Sequence, residues 1–292
     1  MKKIAFIVLS LVSIACLLNL AACSDEPNNS NAPKLIFKFA FDSTQVRLNN
    51  LGQAATMPAD HAAQSPKFNA ISAHYVELAP AAFTALGMGA VLFKNAETNS
   101  GGATAIDFEK STVVGEGETF LSLPISDIAP GTYPHLRVSL AYQNYDIKVR
   151  AMGTSLTGTL ASFIGYNTFI KSHTVKAQTL AVNGNRAQGY WAFETPFTLN
   201  DGQAPAGATT VPNPLFASSP IPQGSCIVTG NFEQALQITG NETEDIVVNV
   251  SLSTNNSFEW KEQGGLPNTF DPLDGDVPTD MGIRGLIGKI EP

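Results

Sequence analysis

The strongest constraint on the fold is an alternation of apolar and polar residues with a period of two. In KLIFKFAF, Leu35, Phe37, Phe39 and Phe41 fall on one face of an extended segment. In HLRVSLAYQNYDIKVRA, from His135 to Ala151, a polar Gln-Asn pair interrupts the same alternation. Successive side chains of a strand point to opposite faces. These segments therefore predict strands with one buried face, and the second segment predicts a hairpin.

Further short strands are predicted between clusters of Gly, Pro and Asn. Asn183-Gly184 in TLAVNGNRAQGYWAFE predicts a second hairpin, because Asn-Gly readily adopts the positive φ angles of a tight turn. Helical periodicity is modest, covers only Ala70–Leu86 and is interrupted by Pro80. The other predicted strands are Ala90–Asn95, Thr119–Leu123, Cys226–Thr229, Asp245–Leu252 and Ser257–Trp260. This pattern predicts an all-β fold, an antiparallel β-sandwich with long loops.

The amino terminus has the features of an export signal. Lys2 and Lys3 precede an uncharged apolar run, Ile4–Leu20, and then the small residues of LAAC, which ends at Cys23. This order resembles the lipobox of bacterial lipoproteins, in which the signal is removed and the cysteine carries lipid chains such as palmitate. We therefore predict a signal peptide over residues 1–22 and lipidation of Cys23. The alternative is an ordinary cleaved signal with a chance cysteine.

The segment that follows predicts a flexible tether and a membrane location. Residues 23–33 contain acids, prolines and a cluster of Asn and Ser, with no apolar pattern to bury. In lipoproteins of this kind an Asp after the cysteine favours inner-membrane retention, whereas Ser24 favours the outer membrane. Asp25 and Glu26 resemble export signals of surface lipoproteins, so the periplasmic face and the cell surface both stay open.

Charge and cysteine usage limit the partners and the means of stabilisation. Lys2 and Lys3 are two of 17 basic residues, so the chain after the signal carries 15 basic and 25 acidic residues, a formal net charge of −10. That charge argues against nucleic acid as a partner. Once Cys23 is lipidated only Cys226 remains, so no intrachain disulfide can form. Cys226 lies in a strand-like run and is interpreted as a small buried apolar side chain.

The predicted body of the protein is one β-sandwich domain over residues 34–292. The connection over residues 201–223 holds five prolines and is interpreted as a functional loop, with a linker between two small sandwiches as the alternative. The chain lacks the GxSxG, HExxH and GxGxxG patterns of common enzyme classes, which favours a binding role over catalysis.

One acidic segment is a candidate metal site. FDPLDGDVPTDMG places Asp271, Asp274, Asp276 and Asp280 around a turn, and carboxylate oxygens are the ligands that calcium prefers. The spacing differs from that of an EF-hand. The alternative is a solvated turn whose Asp side chains hydrogen-bond nearby backbone amides.

Aromatic residues supply a second candidate site. Tyr190 and Trp191 lie in the strand-like YWAFE, where core packing is the ordinary role and stacking against a ligand such as a sugar ring is the functional one. A hydrolase remains a third class of function and would need Glu194 to meet a second carboxylate in a cleft.

The first half of the chain resembles the MbnP-like domain. The segments that carry the resemblance are FKFAF, the NLGQ turn and SLPISDIAPGTYPHLRVSLAY from Ser122 to Tyr142, with its PGTY turn. Members of this β-rich family of exported bacterial proteins are linked to copper binding and to a di-haem peroxidase-like partner that modifies tryptophan. The resemblance implies copper as a cofactor and such a protein as a partner. It assigns no copper ligands here, because no tryptophan cluster is present.

We therefore expect an outer-membrane lipoprotein that acts as a non-catalytic ligand- or metal-binding protein, anchored to the membrane through its amino-terminal lipid. The alternative is an adhesive, glycan-binding or structural surface lipoprotein. Folds of this class host all of these functions, so the fold alone does not decide between them.

Overall fold

The computed structural model describes residues 32–204, 213, 217, 219 and 221–292, and these residues confirm the all-β prediction. Among the described residues, short 3-10 helices at Phe108–Lys110 and Ile125–Asp127 accompany the strands. In chain order the strands are β1 (Lys34–Asp42), β2 (His61–Gln64), β3 (Lys67–Ala79), β4 (Ala90–Lys94), β5 (Glu97–Thr98), β6 (Ala105–Asp107), β7 (Thr119–Pro124), β8 (Gly131–Ala151), β9 (Thr154–Phe163), β10 (Asn167–Thr174), β11 (Thr179–Ala187), β12 (Tyr190–Glu194), β13 (Leu199–Gln203), β14 (Cys226–Ile238), β15 (Ile246–Ser253), β16 (Phe258–Lys261), β17 (Val277–Met281) and β18 (Leu286–Ile290).

The strands form one large sheet and two small ones. The large sheet has the order β13-β12-β9-β8-β14-β18-β15-β1-β7, with β3 paired to β8 and β4 to β3. The small sheets have the orders β11-β10-β6-β5 and β17-β16-β2. Most pairs are antiparallel as predicted, but β1–β15, β14–β18 and β6–β10 are parallel. Strands joined by long connections can pair in parallel, which a two-residue hairpin forbids.

The core lies between two parts of the large sheet that pack against each other. Phe37 and Phe39 of β1 are buried, as the alternation predicts. The ring of Phe41 on β1 lies 5.1 Å from that of Phe68 on β3. The two halves of the sheet therefore pack face to face, and the architecture is sandwich-like. Pro33–Pro292 forms one compact unit, while most of the connection over residues 201–223 lies outside the described residues.

The hairpin predicted over His135–Ala151 is wrong, because β8 is one strand of 21 residues. Its polar pair is buried rather than turned to solvent: Gln143 Nε2 donates to the Met281 carbonyl at 3.0 Å, and Asn144 Nδ2 donates to the Val175 carbonyl at 2.8 Å. The real turn follows at Met152-Gly153, with φ angles of 51° and 75°. Positive φ at both central residues is the geometry of a type I′ hairpin.

The hairpin predicted at Asn183-Gly184 is also wrong. β11 continues through this pair and is hydrogen-bonded to β10, whereas β12 is hydrogen-bonded to β9. The β10–β11 register shifts between Ile170 and Ser172, and Asn183 has a φ of 49°. The Asn-Gly pair therefore marks a β-bulge, which uses the same positive φ without reversing the chain.

The helical pattern over Ala70–Leu86 is wrong as well. Most of it belongs to β3, and the remainder is the connection that begins at Pro80. The residues after Ile71 are buried on both faces of β3, including the polar Ser72, His74 and Glu77, so the segment lacks the period-two alternation that marks a strand. Across the described residues, no helix has the length and apolar character needed to cross a bilayer.

Candidate ligand-binding cavity

A cavity of about 1290 Å³ lies between the large sheet and the three-stranded sheet β17-β16-β2. The large sheet contributes its floor through β8, β9, β12 and β14, and the opposite side comes from the small sheet and from residues 47–58 and 282–285. The floor residues are Leu140, Ile147, Leu160, Ser162, Trp191, Phe193, Cys226 and Val228. All but Ser162 have apolar or thiol side chains, so the floor offers mainly apolar contact.

Two aromatic side chains of β12 shape the floor. Trp191 and Phe193 stand two residues apart and therefore point to the same face of the sheet. Gly202 of β13 lies directly opposite Trp191, and a Cβ on this glycine would lie 2.7 Å from Cζ2 of the indole. Gly158 of β9 is covered by the Phe193 ring in the same way. The glycines allow both rings to lie against the sheet beneath the cavity.

A network of charged side chains forms the opposite wall. Glu259 of β16 is its centre: Oε1 accepts hydrogen bonds from Arg47 NH2 and, at 3.1 Å, from Arg284 Nε. His61 Nδ1 lies 3.0 Å from Oε2. Arg284 NH2 also pairs with Asp280 Oδ2 at 3.1 Å. Two arginines are thus matched by two carboxylates beside an imidazole.

Burial and neighbouring charge act in opposite directions on the two carboxylates. Burial alone would raise the pKa of Glu259, but hydrogen bonds from His61 and Arg47 and the charges of both arginines lower it overall. Burial raises the pKa of Asp280, and the Arg284 charge only partly opposes this rise. Glu259 is therefore the carboxylate that holds the arginines most firmly.

The structure separates the two aromatic residues selected from the sequence. Trp191 lines the cavity, whereas Tyr190 is only 2% exposed and packs on the other face of the sheet with Phe163 and His173. Its hydroxyl donates to Asp201 Oδ2 at 2.8 Å, and burial together with this partner raises the pKa of Tyr190 to about 12. Tyr190 is thus a core residue, and Trp191 is the one placed to contact a ligand.

The four aspartates of the acidic segment have different surroundings. Asp276 accepts backbone hydrogen bonds from Gln263 and Asp271 at 3.0 and 2.8 Å, and Asp271 Oδ2 lies 3.4 Å from Arg150 Nε. Asp274 is exposed, and Asp280 belongs to the cavity wall. Within the described ranges no three His, Cys, Asp or Glu side chains are grouped as metal ligands would be. Metal binding by these four aspartates stays a prediction.

Cys226 is buried, as predicted, and Glu194, the acid considered for a hydrolase, is held by backbone hydrogen bonds. Cys226 lies at the cavity floor, and burial raises the pKa of its thiol to about 12. The carboxylate of Glu194 accepts hydrogen bonds from the backbone N–H groups of Lys176, Ala177 and Gln178. These bonds lower the pKa of Glu194 although burial opposes them. Glu194 therefore fixes the turn between β10 and β11.

Comparison of the chain with protein-family models, curated proteins and solved structures finds no match. The resemblance to the MbnP-like domain, with the copper and the di-haem partner that it implies, stays a prediction. The lipobox and Cys23 lie outside the described residues. The cavity and its wall are therefore the basis for a functional proposal.

Proposed function

We propose that the protein is a lipid-anchored protein of the cell envelope that binds a small, mainly apolar molecule in this cavity without converting it. The observation that carries the proposal is the cavity itself. Its volume of about 1290 Å³ exceeds the range of roughly 300–1,000 Å³ that is usual for small-molecule sites. The apolar floor supplies contact area, and the charged groups of the wall bind one another rather than being free to act on a substrate.

The position of Trp191 favours a ligand bound inside the cavity over a glycan bound at the outer surface. Its indole lies on the cavity floor beside Phe193, and its neighbour Tyr190 is buried in the core. A surface platform for a sugar needs aromatic faces open to solvent. A concave site that combines a largely apolar surface with a few polar groups is the usual form of a small-molecule site.

The binding proposal is tested with 1-anilinonaphthalene, an uncharged dye that becomes fluorescent in apolar surroundings. The Cys23→Ser chain is taken from the soluble fraction, so that neither a detergent nor the apolar run of an attached signal peptide competes for the dye. We expect Trp191→Ala to weaken dye binding by about tenfold, which corresponds to ~1.4 kcal/mol, because it removes an aromatic face from the floor. Phe83→Ala is the matched control, since Phe83 is 77% exposed and does not line the cavity. Equal losses in both variants, or no dye binding by the parent chain, would contradict the proposal.

The anchor is tested by metabolic labelling with radioactive palmitate. The lipobox-like LAAC predicts that the parent chain takes up label, and that Cys23→Ser abolishes labelling and leaves either a soluble periplasmic protein or an uncleaved precursor. Cys226→Ser is the control, because this buried thiol lies in the folded domain and should leave labelling unchanged. An unmodified cysteine in the amino-terminal peptide, measured by mass spectrometry, would contradict the anchor.

A further inference from the structure

The charges that line the cavity compensate one another. Besides the buried Cys226 thiol, the charged and titratable residues among the lining groups are Arg47, His61, Glu259, Asp280 and Arg284. Arg284 donates to Glu259 and to the carbonyls of Ser257 and Ile283, and it pairs with Asp280. Both guanidinium groups and both carboxylates therefore already have partners of opposite charge.

Three of the four charged members of the network are shielded from water, which raises the cost of rearranging them, while the Asp280 side chain is 32% exposed. The side chains of Glu259, Arg284 and Arg47 are 3%, 9% and 12% exposed. Arg47 NH1 donates to the carbonyls of Asn255 and Asn256, so this guanidinium is also held by backbone. A charged ligand would have to break such contacts or enter the cavity without a counter-charge, and an unpaired buried charge is strongly unfavourable.

The other polar groups of the lining are uncharged. They are Asn49, Asn50, Thr56, Ser162, Gln188, Gln203 and Thr279. Amides and hydroxyls of this kind can donate to or accept from the neutral polar groups of a ligand, such as a carbonyl or an alcohol. The cavity thus combines a large apolar surface with neutral hydrogen-bonding groups and a balanced set of charges.

We infer that the cavity is selective for uncharged lipophilic molecules and discriminates against organic anions and cations of the same size. This inference rests on the proposed function and names its class of ligand. The wall produces the selectivity. Its charged side chains are paired with one another, so they offer a ligand polar contact but no unpaired charge. Replacing one charged side chain of the wall should therefore leave its partner unpaired, and the site should then accept a ligand with the charge that was removed.

The test compares 1-anilinonaphthalene with 1-anilinonaphthalene-8-sulfonate, which share one ring system and differ in a single negative charge. On the soluble Cys23→Ser chain we expect the uncharged dye to bind about tenfold more tightly. Asp280→Asn leaves Arg284 partly uncompensated and should raise the affinity for the sulfonate relative to the uncharged dye. Asp274→Asn is the matched control: it changes the net charge equally, but Asp274 is exposed and lies outside the lining.

The possible outcomes test the selectivity and the binding function separately. A sulfonate that binds the parent chain as tightly as the uncharged dye overturns the selectivity but leaves the binding function standing. The same applies if Asp280→Asn and Asp274→Asn give the same ratio of affinities. If neither dye binds, the binding function fails and the selectivity fails with it.

Discussion

Replacing Glu259 by alanine is expected to lower the free energy of unfolding by about 3 to 5 kcal/mol. Glu259 holds Arg47, Arg284 and His61, and its side chain is only 3% exposed. Its loss leaves two nearly buried guanidinium groups short of a counter-charge. The free energy of unfolding of a domain is only ~5 to 15 kcal/mol, so this single substitution removes a large part of it.

The measurement is urea unfolding of the soluble Cys23→Ser chain with and without the substitution. Glu291→Ala is the control, because Glu291 is exposed and its Oε2 lies 3.9 Å from Lys38 Nζ. An exposed ion pair of this kind contributes about 0 to 1 kcal/mol to the free energy of unfolding. If the two variants unfold at the same urea concentration, the network does not stabilise the wall.

The stabilisation by Glu259 should also depend on pH. The pKa of Glu259 is lowered in the folded protein from an ordinary value of 4.5. Its contribution is therefore fully present above the unfolded-state pKa and is lost as the pH falls through the lower folded-state pKa. The difference in stability between the parent chain and Glu259→Gln should shrink below about pH 4.5.

Replacing Phe39 by alanine is expected to lower the free energy of unfolding by ~3 to 5 kcal/mol. Phe39 is 1% exposed, and its ring lies 5.1 Å from that of Phe120. Truncation removes buried apolar surface and leaves a cavity that the packed sheets cannot close completely. Thermal or urea unfolding measures the loss.

The control for Phe39 is the same substitution at an exposed position. Phe83 is 77% exposed, so Phe83→Ala should change stability by less than about 0.5 kcal/mol. A loss at Phe39 no larger than at Phe83 would mean that the wrong face of β1 has been taken as buried.

The period-two pattern predicted strands well where one face of a strand meets the core. β1 shows this, because Leu35, Phe37 and Phe39 are buried while Lys38 and Ala40 are less so. The pattern was misleading where both faces are covered. Gln143 and Asn144 indicated a turn, yet each finds a buried carbonyl in another part of the fold. Such partners are far apart in sequence, and only the folded chain brings them together.

The candidate site was only partly predictable for the same reason. Trp191 was selected together with Tyr190 as a candidate ligand contact, with core packing as the alternative, and only Trp191 lines the cavity. Asp280 was selected for a different role. Arg47, His61, Glu259 and Arg284 come from separate segments, so their spacing carries no motif. The one local signal was Glu259 itself, an acid between Phe258 and Trp260 in a strand that is buried at all three positions.

A crystal structure of the Cys23→Ser chain with bound 1-anilinonaphthalene tests directly whether the cavity is the binding site. We expect the dye to lie in the cavity, with its rings against Trp191 and Phe193 and with the Glu259–Arg284 and Arg284–Asp280 contacts intact. A dye bound elsewhere on the protein while the cavity stays empty would contradict this expectation.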